Sequence, residues 1–307
     1  MTRLNAASQQ LPPPGSINVD HVGHFVPDSE RAAAALAQLG FTLTPFSVHA
    51  HRLTPDGPLV PAGTGNRCVM LEQGFMEFLV PLAETPVADQ LRTAMQRYVG
   101  VHLIAFGTAA AENDHARLVR EGFAPQMPIA LQRPISTEGG TDTTRFTVVR
   151  VAPGTMPEGR IQYCQQITPE LMWQPRWLTH ANGATALTSV LLCVADPAET
   201  AQRYARYTGL TAAACNRAWE IETARGSLLF VDDATLKRAL GVRAPTLPWM
   251  AGYSLASRDL AATRAYLQAA GIAAVERAGR LMVTLPEALG GIVLFEDVGS
   301  ARLEFNG

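Results

Sequence analysis

Residues 17–41, INVDHVGHFVPDSERAAAALAQLGF, set a short apolar strand before an amphipathic helix that stops at Gly40-Phe41. The same order returns as GVHLIAFGTAAAENDHARLVREGF (100–123), LTSVLLCVADPAETAQRYARYTGL (187–210) and AGYSLASRDLAATRAYLQAAGI (251–272). The closing glycines, Gly40, Gly122, Gly209 and Gly271, lie 82, 87 and 62 residues apart, so each copy is one supersecondary unit that needs neighbours to bury its apolar face. Asp28, Asp196 and Asp259 stand where a carboxylate accepts the free first-turn N–H groups, and each glycine can take the left-handed conformation that ends a helix.

Apolar segments after the first two helices read as strands: LTPFSVHA, NRCVMLE and FMEFLVPL, then MPIALQR, TRFTVVRV and RIQYCQQI. Each module is therefore βαβββ, with Glu72-Gln73-Gly74 as a hairpin turn. Val87, Leu91, Met95 and Tyr98 recur at helical steps and predict a connecting helix over 84–98. Pro169, Pro175 and the turn pair Asn182-Gly183 mark a boundary near residue 180, and residues 232–250 form a comparable bridge. The expected fold is α+β, with four modules paired in order into two cupped-sheet domains. A flexible arm over 1–16 precedes the first domain, 17–178, and the second spans 179–307.

Composition narrows the partners. Twenty-five Lys and Arg stand against 27 Asp and Glu with no run of one sign, which leaves no electrostatic footprint for nucleic acid or an acidic membrane surface. A small-molecule substrate is expected, with a homodimer possible. Cys68, Cys164, Cys193 and Cys215 have neither metal-site nor disulfide-framework spacing and suit a cytoplasmic protein.

The repeat also superimposes polar residues. With a one-residue gap His21 falls opposite His102, and Glu77 in FMEFLVP falls opposite Gln162 in RIQYCQQ. Alternation along a strand puts His21 with Gly23 and Phe25, and His102 with Ile104 and Phe106. Two imidazoles and a carboxylate suit Fe(II), Mn(II), Ni(II) or Zn(II) with positions open to substrate oxygens. Glu77 and Gln162 are the expected catalytic pair, and Phe25, Asn66, Arg67, Phe106 and Cys164 the expected substrate contacts. If Arg67 or Arg145 instead neutralises Glu77, the cup becomes an organic-anion pocket. His24 reads as a buttress of the first helix, and His49, His51, His115 and His180 as loop polar groups.

VDHVGHFVPD and GTGNRCVMLEQGFMEFLVPL resemble the vicinal oxygen chelate superfamily, which includes glyoxalase I, the extradiol dioxygenases and the bleomycin-resistance proteins, and the second segment resembles its glyoxalase-like branch. The resemblance implies side-by-side modules around a metal or ligand, with His21, Glu77 and His102 as metal ligands and a lyase, isomerase or dioxygenase reaction. Its alternative is a metal-free sequestering protein of the bleomycin-resistance type, with Trp173 and Trp177 joining the phenyl rings around an apolar ligand. The second domain reads as degenerate. Ser189 and Gly252 occupy the place of His21, leucines occupy the place of Glu77, and Glu296 reads as a surface acid. Its cup is expected to bind no metal and to be closed by side chains or a partner surface.

Overall fold

The computed structural model describes residues 10–52, 59–300, 302, 303 and 305. The first repeat comprises β1 (Ile17–Phe25), α1 (Ser29–Gln38), β2 (Ser47–Arg52), β3 (Leu59–Met70) and β4 (Phe75–Pro81). After α2 (Pro86–Met95) come β5 (Gly100–Thr108), α3 (Ala111–Arg120), β6 (Ile129–Thr137), β7 (Gly140–Arg150) and β8 (Arg160–Gln166). A short helix, α4 (Pro169–Met172), opens the connection to β9 (Ala184–Cys193), α5 (Pro197–Thr208), β10 (Ala212–Cys215), β11 (Ala218–Glu222) and β12 (Ser227–Val231). Then α6 (Asp233–Leu240) leads to β13 (Trp249–Ser257), α7 (Leu260–Ala269), β14 (Val275–Arg277), β15 (Arg280–Thr284) and β16 (Ile292–Asp297). Asp28, Asp196 and Asp259 cap their helices through first-turn N–H groups. β2 starts later than LTPFSVHA suggests because Pro45 has no N–H to give a ladder. Of the expected arm, residues 1–9 lie outside the described residues, and Gln10 is tied down by Asn18 and by the backbone of Glu72 and Gly74.

In each repeat the first strand pairs parallel with the last, and the two first strands of a half meet antiparallel, β1 with β5 and β9 with β13. The result is two eight-stranded arrays, β2-β3-β4-β1-β5-β8-β7-β6 and β10-β11-β12-β9-β13-β16-β15-β14, joined by a bridge between Met250 and Val101. Arg133 on β6 donates to the Ser47 hydroxyl on β2 at 3.3 Å, bringing the free edges of the first array together around a cavity.

The repeat helices do not lie on the outside of the molecule. Gln38 of α1 donates to the carbonyl of Ala270 at the end of α7, and Arg117 of α3 to that of Tyr207 in α5. The convex, helix-covered faces of both arrays therefore face one another. One apolar cluster holds Leu36, Leu118, Tyr204 and Leu267 together with strand residues of both halves. A helix that has covered its own sheet still exposes an apolar flank, and the other half covers it. Glu158, 2% exposed, takes two charge-assisted hydrogen bonds of 2.9 Å from Arg203 across this seam.

The second cup is filled. Leu191, Leu229, Trp249 and Leu294 meet Leu236 and Leu240 of α6, with Leu303 and Phe305 added from the C-terminal segment. Glu296 is not the surface acid that its place near a strand end suggests: it is 7% exposed, ion-paired to Arg280 and hydrogen-bonded by Thr188 at 2.6 Å. No helix among the described residues is long and apolar enough to cross a membrane.

Candidate functional site

Two irregularities in the β1–β5 ladder position the polar side chains. Val19 pairs with Phe106 and His21 with Ala105, so Asp20 is an extra residue on β1; Gly23 pairs with Leu103 and His24 with Val101, so His102 is an extra residue on β5. Both are β-bulges, and each reverses the inside-outside alternation of its strand. Ile17, Val19 and Val22 consequently all reach the helix-side core, while Asp20 and His21 sit side by side.

The bulges correct the expected superposition. Asp20 and His102 are the equivalent pair, each the surplus residue of its strand, so that Leu103 on β5 is the repeat counterpart of His21 on β1. Leu103, with Phe25, Leu79 and Cys164, belongs to an apolar cluster on the cup side, whereas Ile104 and Phe106 belong to the helix-side core. Phe106, 0% exposed and packed near Tyr163 and Tyr207, is therefore not a substrate contact. Arg67 is not one either: it pairs with Phe78 across β3–β4 and turns to the helix side, where it meets Glu30 and the Phe46 ring. Arg145 is exposed.

The cup encloses a cavity of about 840 Å³ whose lining includes His21, Phe25, Asn66, Glu77, Gln162 and Cys164 from the expected set. The His21 ring stacks on Phe75 at 4.2 Å, and its Nδ1 lies 2.6 Å from Asp20 Oδ2. A carboxylate can only accept, so Nδ1 carries a proton towards Asp20 and Nε2 is left on the side of Glu77. Glu77 Oε2 lies 4.0 Å from that Nε2, and the Asn66 amide donates to the other carboxylate oxygen. Gln166 donates to Asp20 at 3.2 Å.

His102 also borders the cavity, but its chemistry is committed elsewhere. Its ring stacks against Tyr98 at 4.0 Å and Phe25 at 5.2 Å, and its Nε2 hydrogen-bonds to the Tyr98 carbonyl at 2.8 Å. Burial pulls its pKa down to about 4, with the Tyr98 carbonyl opposing. The residues present do not fit the three-ligand metal set. Among the described residues no three His, Cys, Asp or Glu side chains converge on one point, and the repeat counterpart of His21 is Leu103 where a second imidazole is needed. The thiols add nothing nucleophilic: burial pushes Cys68 up to about 12 and raises Cys164 as well.

Arginines dominate the wall instead. Arg97, Arg133, Arg150 and Arg160 line the cavity. Arg150 donates to Gln162 Oε1 at 3.1 Å and Arg160 to Gln90 Oε1 at 3.0 Å; Arg97 holds the carbonyls of Pro157 and Pro248. No ion pair to any of the four occurs among the described residues. Burial first, then the charge of Arg150, pull Arg160 down to about 10 against the opposing pull of Glu77; burial lowers Arg150 too. Strand alternation marks Phe146, Val148 and Arg150 as one face and Arg160, Gln162 and Cys164 as another, and that period could have drawn attention to both arginines. His49 also lines the cavity, bonded to the Thr64 hydroxyl at 3.1 Å, with its pKa lowered by burial. His51's side chain lies outside the described residues. His24 buttresses the seam between the halves through the Leu289 carbonyl and the Tyr253 hydroxyl, and His180 bonds to the Met70 carbonyl. Trp173 packs beneath the cup against Phe75 and Met70.

A β-rich array of paired strand–helix–strand units around a cup is the architecture of the vicinal oxygen chelate superfamily. The glyoxalase-like domain model matches residues 19–208, and the chain belongs to that family. A search of curated protein sequences finds no match. Among solved structures, a hypothetical protein from Staphylococcus aureus superposes with a TM-score of 0.58 at 11% identity, over 92% of this chain and 99% of that one. A triple mutant of 4-hydroxymandelate synthase from Streptomyces coelicolor gives 0.53 at 16% identity, over 94% of each chain. A fusion of a xylose isomerase-like TIM barrel with 4-hydroxyphenylpyruvate dioxygenase gives 0.53 at 11% identity, over 95% of this chain and 51% of that one. These likenesses describe the fold.

Proposed function

We propose that the first cup binds a small, partly apolar organic anion, its charged group held between Arg150 and Arg160. The observation that carries this reading is the pair of half-buried guanidinium groups, both with proton affinity lowered first by burial, Arg160 also by the charge of Arg150, and neither ion-paired among the described residues. Two cations in partial burial are costly unless an anion completes them. Glu77 alone does not balance four arginines, and the other carboxylate on the wall, Asp89, is already bonded to Arg92. Phe25, Leu103 and Phe146 supply apolar surface for the body of the ligand.

Calorimetric titration with levulinate and longer oxocarboxylates, against butanone as the uncharged control, tests this. The oxocarboxylates are expected to bind and butanone not. Arg150→Met should weaken binding about 10–100-fold, the worth of one charge-assisted hydrogen bond. Equal binding of acid and ketone, or affinities untouched in both Arg150→Met and Arg160→Met, would overturn the assignment.

A further inference from the structure

The β6–β7 hairpin turns one long face to the cavity. Residues paired across an antiparallel ladder share a face, and here Leu131 lies beside Phe146 and Ile129 beside Val148. An arginine stands at each end of this apolar strip, Arg133 at one and Arg150 at the other, and all six residues line the cavity. Arg133 is level with Thr144, and Arg150 lies six residues further along β7, ~20 Å of extended strand before the cup's curvature and two long side chains shorten the gap.

Arg133 is half-buried and donates to the Ser47 hydroxyl and the Met172 thioether, both at 3.3 Å. Neither acceptor carries charge, and a guanidinium has five N–H donors to satisfy. His49, bonded to Thr64 on the same wall, has its pKa lowered first by burial; Glu77 opposes this, and Arg133 and Arg150 both add to it, so the two guanidinium groups act on one interior. Four arginines against Glu77 leave an excess of three positive charges on the wall, Asp89 being bound to Arg92. The anionic group held by Arg150 and Arg160 removes one of them. The next unmatched cation, Arg133, stands at the far end of an apolar strip, where a second oxygen of the same small group does not reach.

We infer that the ligand is a linear organic dianion, an α,ω-dicarboxylate with an apolar middle, held by Arg150 and Arg160 at one end and by Arg133 at the other. The inference rests on the anion reading above and names the class of anion. A monoacid with an apolar tail would leave the half-buried Arg133 without a counterion, at a cost in free energy. In a dicarboxylate the methylene chain covers Leu131, Phe146 and Val148 while both carboxylates are paired. Arg133 is then the residue that selects ligand length.

Calorimetric titration of the full-length protein with dicarboxylates from glutarate to sebacate, each against the monocarboxylate of equal chain length, tests this. The best diacid should bind ~10–100-fold tighter than its monoacid, the worth of one charge-assisted hydrogen bond. Apolar contact would give the opposite order, because a carboxylate in place of a methyl group removes apolar surface from the ligand. The preference should vary with length, since both cations are fixed to one hairpin. Arg133→Met should bring diacid and monoacid to parity, and Arg133→Lys, which keeps the charge, should retain part of the preference. Should Arg133→Met fail to fold, the length dependence and the lysine variant still decide the matter. The inference is overturned if no diacid outbinds its monoacid, if the preference ignores length, or if it survives Arg133→Met. Octyl phosphate matching the best diacid in wild type and in Arg133→Met overturns it too, because one dianionic head group would then suffice. Monoacids binding without any diacid preference sink this inference alone, whereas no binding of either series to wild type refutes the anion reading and the inference with it.

Discussion

Arg203→Met is expected to destabilise the protein by ~3–5 kcal/mol, because it strands a buried carboxylate. Glu158 has a side chain only 3% exposed and takes two 2.9 Å hydrogen bonds from the Arg203 guanidinium, which also meets Glu199. Methionine keeps the apolar stem of arginine and removes the charge. The loss would appear as a lower denaturation midpoint with an unchanged slope against urea. The double variant Arg203→Met, Glu158→Leu should recover much of it, since a well-packed apolar pair is often as stable as the ion pair it replaces. A single-variant loss under ~1 kcal/mol, the worth of a solvent-screened surface pair, would show that this ion pair is not a buried clamp.

Acid should loosen the fold above the range where carboxylates titrate. Burial is the main cause that pulls both His24 and His102 down to about 4 from 6.5, with carbonyl hydrogen bonds opposing. A histidine whose folded pKa is depressed takes up its proton more readily in the unfolded chain. Stability is therefore full above pH 6.5, falls as pH drops from 6.5 towards 4, and flattens below that window as far as these two groups are concerned. Each contributes on the order of 3 kcal/mol of pH dependence. Urea titrations at neutral pH and near pH 4.5 should differ accordingly. His24→Gln, which can still hydrogen-bond without taking a proton, should flatten the profile even at some cost in absolute stability. A profile identical to wild type would overturn the assignment of His24.

The repeat, its capped helices and its closing strands were legible because they depend on local signals: an Asp before a helix, a Gly after it, apolar residues at period two or 3.6. The closing glycines take positive φ, Gly40 at 86° and Gly209 at 72° among them, as the helix-stop pattern implies. The superposition of His21 on His102 failed for a physical reason. A bulge leaves no mark of its own in a sequence, and inserting a gap to align two histidines moved the alternation of β5 by one residue. That shift turned Phe106 towards the cup and Leu103 away, the reverse of what the ladder imposes. Arg150 and Arg160 escaped notice because neither belongs to a motif. They flank the β7–β8 connection, and only the curvature of the sheet brings their two faces into one cavity. The orientation of the helices was invisible for a related reason: the residues on an apolar flank do not say which neighbour will cover it.

The clamp at Glu158 has a bearing on how this duplicated chain can vary. The turn between β7 and β8 begins at Arg150 and ends at Arg160, and its middle is gripped at Pro157 by Arg97 and at Glu158 by Arg203 of α5. The copy whose own cup is packed solid thus serves as the anvil on which the other copy's charged wall is shaped. Substitutions on the seam side of α5 would register as changes in ligand preference although they touch no ligand, and cutting the chain near residue 180 would leave the first cup without the surface that sets its arginines.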